Sequence, residues 1–277
     1  MDLNRHDLDA YLALVGYVGP LEPTLGLLRD LQHRHVLAIT FENLDVLLGR
    51  PIRLDTGSIV AKLIGARRGG YCFEQNGLFG KVLGALGFAV TPLAARTRYA
   101  VPDDVATGRT HLLLKVDLAE GPYIVDVGFG GLCPTAPFVL AYDDEQATQL
   151  ETYRFIRWGD GYELQARLGA DWAVLYRFTL EPQTMPDQEI SNWFVSTAPQ
   201  SRFVQSLILA RPLADRRVNM LNDRLTIRHR DGGVEEHMVR GVDDLIETLL
   251  RHFHLDLESI AGRDGAKAIV ERCFPAG

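Results

Sequence analysis

The chain has 277 residues, 47% of them apolar and 23% charged, an ordinary globular balance in a length that suits two or three domains. Its formal net charge of −7 argues against nucleic acid or another polyanion as partner. No apolar run approaches the ~20 residues that cross a bilayer, and the polar stretch from Met1 to Asp7 is followed by no signal-peptide core, so the expectation is a cytoplasmic protein.

Leu8, Tyr11, Leu12 and Val15 recur at helical spacing, and Gly19-Pro20 is read as the stop of that helix. Thr24 is a candidate cap for a second helix carrying Leu25, Leu28 and Leu31. Ile59, Val60, Leu63 and Ile64 mark a third, and a fourth runs from about Cys72 through Leu86 to Gly87. The texture then becomes β-rich. Strands are expected at Phe88 to Ala95, His111 to Leu118 and Tyr123 to Phe129, with Gly121-Pro122 as the turn between the last two. Tyr153 to Trp158, Tyr162 to Leu168 and Trp172 to Leu180 follow, the first pair joined by Gly159-Asp160-Gly161. Short strands at this spacing suggest a barrel or a sandwich. The last third reads as mixed: a helix over Asp187 to Ser196, a hairpin of Arg224 to Arg230 and Val234 to Val239, and closing helices from Val242 to Phe253 and Leu257 to Cys273. There is no internal repeat.

Cys72, Cys133 and Cys273 are too few and too widely spaced for a disulfide scaffold, and with no CxxC or HExxH no metal is expected. Cys72 stands out because Arg67-Arg68-Gly69-Gly70-Tyr71 leads into it and a helix begins there. The glycines are read as allowing a tight turn and a close substrate approach. A helix start supplies free N–H groups and the positive end of the dipole, which favour a thiolate and can hold an oxyanion. Arg67 and Arg68 are read as adding to that field, and they and Arg216-Arg217 as able to hold a small anion. A lone cysteine is more often a small buried apolar residue, so the reading needs a base.

His6, His33, His35, His252 and His254 are assigned to helix surfaces or ends, and His229 and His237 to the C-terminal hairpin. His111 differs, since it opens the run Leu112-Leu113-Leu114 at the mouth of a strand. Asp126 sits in the apolar stretch Tyr123 to Phe129, where a carboxylate is costly without a partner. A histidine on the neighbouring antiparallel strand would supply one, its second nitrogen facing Cys72. Taken singly, His111 reads better as a strand-end residue and Asp126 as a turn residue; together with Cys72 they make a triad of the cysteine-protease kind.

These residues also carry a resemblance. Phe41-Glu42-Asn43-Leu44, Arg68 to Glu74, Thr110-His111 and Val125 to Gly130 resemble the motifs of the arylamine N-acetyltransferases, and the likeness covers nearly the whole chain. The resemblance implies an α+β multidomain fold: a helical bundle over residues 1–87 bearing the nucleophile, an antiparallel β-barrel over 88–186 bearing His111 and Asp126, and an α/β lid over 187–277. It implies that acetyl-CoA acylates Cys72 and that the acetyl group passes to an arylamine, arylhydrazine or N-hydroxyarylamine, as in xenobiotic metabolism. Cys72 would be nucleophile, His111 base and Asp126 its orienter. Phe41, Phe129 and Phe203 would line the acceptor pocket, and Thr110, Gly130 and Gly131 would approach the coenzyme. Three positions depart from the family pattern. Leu14 stands where many relatives carry an arginine tied to Glu42 and Arg68, Thr40 replaces a proline, and Tyr99 stands where some carry tryptophan. Rival readings are a cysteine hydrolase or transglutaminase-like enzyme with the same triad, and a non-catalytic small-molecule binder. Nothing in the sequence fixes the oligomeric state.

Overall fold

The computed structural model describes residues 3–274; Met1, Asp2 and residues 275–277 lie outside the described part. Its elements in chain order begin with α1 (Arg5–Leu14), α2 (Leu25–Ala38), β1 (Phe41–Glu42), α3 (Leu44–Leu47) and α4 (Thr56–Ile59). A π-helical turn (Val60–Gly65) and α5 (Cys72–Ala85) follow. The strands β2 (Ala89–Thr97), β3 (Arg109–Leu118), β4 (Gly121–Val125), β5 (Phe138–Val139), β6 (Gln146–Ala147), β7 (Thr152–Trp158), β8 (Gly161–Leu168) and β9 (Asp171–Pro182) come next. Then come α6 (Met185–Thr197), α7 (Arg202–Gln205), β10 (Ile208–Pro212), β11 (Arg216–Leu221), β12 (Arg224–His229), β13 (Val234–Met238), α8 (Gly241–Phe253) and α9 (Leu257–Cys273). Among the described residues no helix is long and apolar enough to cross a membrane.

Local chemistry sets most of these bounds. Asn4, Thr24, Asp55 and Asp256 accept backbone N–H groups as caps of α1, α2, α4 and α9. The first helix stops earlier than Gly19-Pro20, at Gly16, whose φ of 65° suits glycine. The third expected helix is instead α4 followed by the π turn, with Ala66 N–H bonded to Ala61 O.

An eight-stranded antiparallel sheet in the order β5-β4-β3-β2-β9-β8-β7-β6 curls into a nearly closed barrel. At its seam the Gln146 amide of β6 exchanges both its hydrogen bonds with the backbone of Val139 in β5, at 2.7 and 2.9 Å. Inside lie Leu93, Leu113, Phe155, Leu164 and Tyr176. The β3–β4 hairpin turns at Ala119-Glu120, because Leu118 pairs with Gly121, so Gly121-Pro122 belongs to the strand rather than the turn. The expected strand to Phe129 ends at Val125, the last paired residue.

A second sheet runs β1-β10-β11-β12-β13. Its β10 and β11 were not anticipated, nor was the pairing of Phe41 with Ala210 that joins the N-terminal third to it. Thr40 Oγ1 also donates to Phe253 O at 2.7 Å, and Asn43 Nδ2 to Phe203 O and Ser206 O at 2.7 and 2.8 Å. Leu44 and Leu47 complete a core made otherwise of residues from Leu207 to Cys273.

Candidate active site

Cys72 is the first residue of α5 and is 3% exposed. Neither of the preceding glycines has a positive φ; what they allow is close packing. Gly69 passes so close to β1 that a Cβ would lie 2.0 Å from Thr40 O, and Gly70 exchanges backbone bonds with Thr40 O and Glu42 N–H. They pack the chain leading to Cys72 against β1. Arg68 points away into a carboxylate cluster, with its Nη2 2.6 Å from Glu42 and Nη1 3.1 Å from Asp45. Arg216 and Arg217 are likewise engaged, by Asp215 and Glu151. Lys62 and Asp45 complete the network around Glu42 and Arg68 in which Leu14 supplies no charge.

His111 reaches the site through a bulge. Ala95 pairs with His111 but Arg96 pairs with Arg109, leaving Thr110 as the extra residue. Thr110 O lies 3.8 Å from Cys72 Sγ. His111 Nε2 is 2.6 Å from Asp126 Oδ2, and the Cys72 side chain is its other hydrogen-bond partner, which leaves Nδ1 for the sulfur. Burial on its own would lower the His111 pKa. The Asp126 charge and the bonds to Asp126 and Cys72 overcome it and raise the pKa to about 10, which favours the charged ring.

Asp126 stands one residue past the end of β4, where Asn76 of α5 wedges into the opening ladder. The Asn76 amide donates to Leu112 O at 2.7 Å and to Asp126 Oδ1 at 2.9 Å, while its oxygen accepts Val127 N–H at 2.9 Å. Gly128 N–H gives Oδ1 a further donor at 2.9 Å. The Asp126 carbonyl accepts from Gln32 Nε2 at 3.2 Å. A Cβ on Gly128 would sit 2.6 Å from Cys72 Cα, so only glycine lets this segment lie against the helix start.

The aromatic residues close around this centre. Phe129 is 5.3 Å from the His111 ring and Tyr176 is 5.1 Å from it. Phe41 packs on Phe203 at 6.1 Å, Phe203 on Tyr71 at 5.5 Å, and Gly130 lies against the Phe41 ring. Gly131 is at the rim beside Asn219. The structure therefore brings all nine expected residues to one place. Sequence reasoning missed Asn76, Gln32, Tyr176 and Tyr71, whose hydroxyl donates to Asn192 of α6. Asn76 carried one signal, being four residues from Cys72 and so on its helix face.

Other candidates fall away from the site. His35 is not on a surface but fully buried, its Nδ1 3.0 Å from the Tyr11 hydroxyl and its Nε2 3.3 Å from Gln75 Oε1. His229 pairs with Glu235 on the outer hairpin, and His237 is exposed there. Cys133 is buried behind Asp126, and burial pushes its thiol well up. Cys273 packs in the C-terminal core.

The chain as a whole has known relatives. Residues 24–261 match the family model described as N-acetyltransferase. The arylamine N-acetyltransferase of Mycolicibacterium smegmatis is 40% identical over 269 residues, covering 96% of this chain and 98% of that one. The chain belongs to the arylamine N-acetyltransferases, a family of acyltransferases. The arylamine N-acetyltransferase of Escherichia coli (strain K12) is 39% identical, with 91% of this chain and 89% of that one aligned. Among solved family structures, that of Mycobacterium marinum superposes with a TM-score of 0.93 at 40% identity, over 96% of this chain and 100% of that one. It has also been solved in complex with CoA.

Proposed function

We propose that this protein transfers an acetyl group from acetyl-CoA to an arylamine, arylhydrazine or N-hydroxyarylamine in two half-reactions joined by a thioester on Cys72. The observation that carries the reading is His111, held at 2.6 Å by Asp126 and hydrogen-bonded to Cys72 at a helix start. An imidazolium beside the sulfur makes the thiolate the attacking form. The thiolate adds to the acetyl-CoA carbonyl, and the free N–H groups of the first turn of α5 are the candidate donors to the oxyanion. CoA leaves as its thiol with the proton of His111. Neutral His111 then accepts a proton from the acceptor nitrogen or hydroxyl as that atom attacks the acetyl-cysteine, and Cys72 departs as thiolate. Asp126 holds the ring orientation and its charge throughout.

Phe41, Phe129 and Phe203 are assigned as walls for an aromatic acceptor, and Thr110, Gly130 and Gly131 as the strip along which the coenzyme lies. The Mycobacterium marinum complex with CoA supports the donor. The relative from Salmonella typhimurium, 39% identical and named also as an N-hydroxyarylamine O-acetyltransferase, supports the acceptor range. We also divide the chain at 87/88 and 186/187, with residues 187–277 as a lid. Separate cores within 93–178 and largely within 207–273 support that division.

Acetyl-CoA alone is expected to release about one CoA per active site and then stall, with one acetyl group on the Cys72 peptide by mass spectrometry. An arylamine should discharge it and restart release. Fast, continuous CoA release without amine would make the protein a hydrolase instead.

A further inference from the structure

The π turn and the start of α5 meet at one ion pair that the triad does not use. Lys62 Nζ lies 2.6 Å from Glu74 Oε1 and 2.8 Å from Asp45 Oδ2. Glu74 Oε2 accepts the N–H of Tyr71 at 3.1 Å, closing the end of the helix whose first residue is Cys72. Glu74 is therefore both the helix cap and a buried anion two residues from the nucleophile. A carboxylate in that place satisfies the backbone, but its charge opposes a thiolate at the same helix end.

We propose that Lys62 is a positioning residue for Cys72: its ammonium neutralises Glu74, so that the carboxylate caps the helix without opposing the thiolate. This rests on the assignment of Cys72 as nucleophile. The surroundings of Lys62 suit the task. Three carboxylates face it, Glu42 from β1, Asp45 from α3 and Glu74 from α5, against one further buried cation, Arg68. Arg68 is occupied by Glu42 and Asp45, and Arg50 touches Asp45 from the rim at 3.3 Å. Of these cations, Lys62 alone is in hydrogen-bonding contact with Glu74 among the described residues. Burial pushes the Glu74 carboxyl up, and Lys62 opposes that push. Without Lys62, Glu74 either stays charged against the thiolate or takes a proton and weakens as an acceptor. His111 faces Cys72 from β3, and the hydrogen bonds and ion pairs of Lys62 and Glu74 run to Asp45, to Tyr71 and to each other rather than to it.

The test is the pH dependence of Cys72 alkylation by iodoacetamide, followed on the Cys72 peptide, in the parent, Lys62→Met and the double variant Lys62→Met/Glu74→Gln. In Lys62→Met the midpoint should rise by about one pH unit, so that alkylation at pH values below the parental midpoint slows about tenfold. In the double variant the glutamine carbonyl still accepts the Tyr71 N–H without a charge, and the rate should return to within about threefold of the parent. A folded Lys62→Met protein with the parental profile overturns the proposal. So does a double variant as slow as the single one, since that places the effect in lost packing or in Asp45. Should Lys62→Met fail to fold, Lys62→Gln takes its place, alone and with Glu74→Gln, under the same criteria. A parent whose Cys72 is unreactive overturns the nucleophile assignment, and with it the task given to Lys62; a reactive parent with an unchanged Lys62→Met variant overturns Lys62 only.

Discussion

His35, in the helical layer, and His111, at the barrel mouth, are both shut off from solvent, yet their partners drive them in opposite directions. His35 meets a phenol and an amide, and burial lowers its pKa to about 3. His111 meets a carboxylate and a thiol, and despite the same burial its pKa is raised to about 10. Burial sets the cost of charge in both places; the partner decides whether the cost is met. One imidazole is thereby a fixed neutral strut between α1, α2 and α5, and the other is held toward its charged form beside Cys72.

The cysteines put that rule under the hardest test, since all three are buried and of the three only Cys72 is a side-chain hydrogen-bond partner of His111. Cys72→Ser is expected to abolish acetyl transfer, whereas Cys133→Ser and Cys273→Ser keep most of it. A folded but dead Cys133 or Cys273 variant would mean that partner chemistry does not select the nucleophile. Next in size is Asp126→Asn, which removes the carboxylate that makes His111 unlike His35. Acylation should fall by about 10³–10⁴, as in serine triads. The raised pKa of His111 also gives stability that is complete below about pH 6.5 and is lost as pH rises towards 10. Thermal melts of Asp126→Asn across that window should be flatter than those of the parent.

The neutral site predicts the opposite dependence. With its folded pKa lowered to about 3, His35 contributes stability that is complete above about pH 6.5 and is lost as pH falls towards 3. The loss amounts to at most about 1.4 kcal/mol per pH unit. His35→Gln should cost about 2 kcal/mol at pH 7 and remove that acid slope in urea titrations. Retention of the full slope would show that another group carries it. The smallest effect belongs to Tyr11→Phe, which strands the Nδ1 acceptor of His35 and should cost about 1 kcal/mol with acetyl transfer unchanged.

How far each site is legible in the sequence follows from how local its causes are. Cys72 is readable because the glycines, the helix start and the nucleophile are contiguous. The His111–Asp126 pair is readable as a carboxylate in need of a partner one hairpin away. Its exact setting is not, because the ladder opens where Asn76 inserts from another element. His35 hides among Gln32, His33 and Arg34, and its burial depends on residues 24 and 40 positions away. The strands β10 and β11 carry Arg211, Arg216 and Arg217, a residue type that ordinarily faces solvent. Arg211 instead bonds Leu37 O, and Arg217 is enclosed with Glu151 and Tyr153. Lys62 looks like any helix-surface lysine until the π turn and α5 are placed side by side.

The pairing of β1 with β10 has a consequence for synthesis on the ribosome. Asn43 waits for Ser206, 163 positions later, and Thr40 for Phe253, 213 positions later. Contacts so distant in sequence are slow to close. The segment bearing Cys72, together with the barrel that supplies its base, is complete well before Phe203 arrives to face Phe41. A nascent chain therefore leaves Phe41 and Cys72 without the cover of Phe203 until its last quarter emerges. Chaperone engagement and thiol oxidation of the unfinished chain should accordingly concentrate at that cleft.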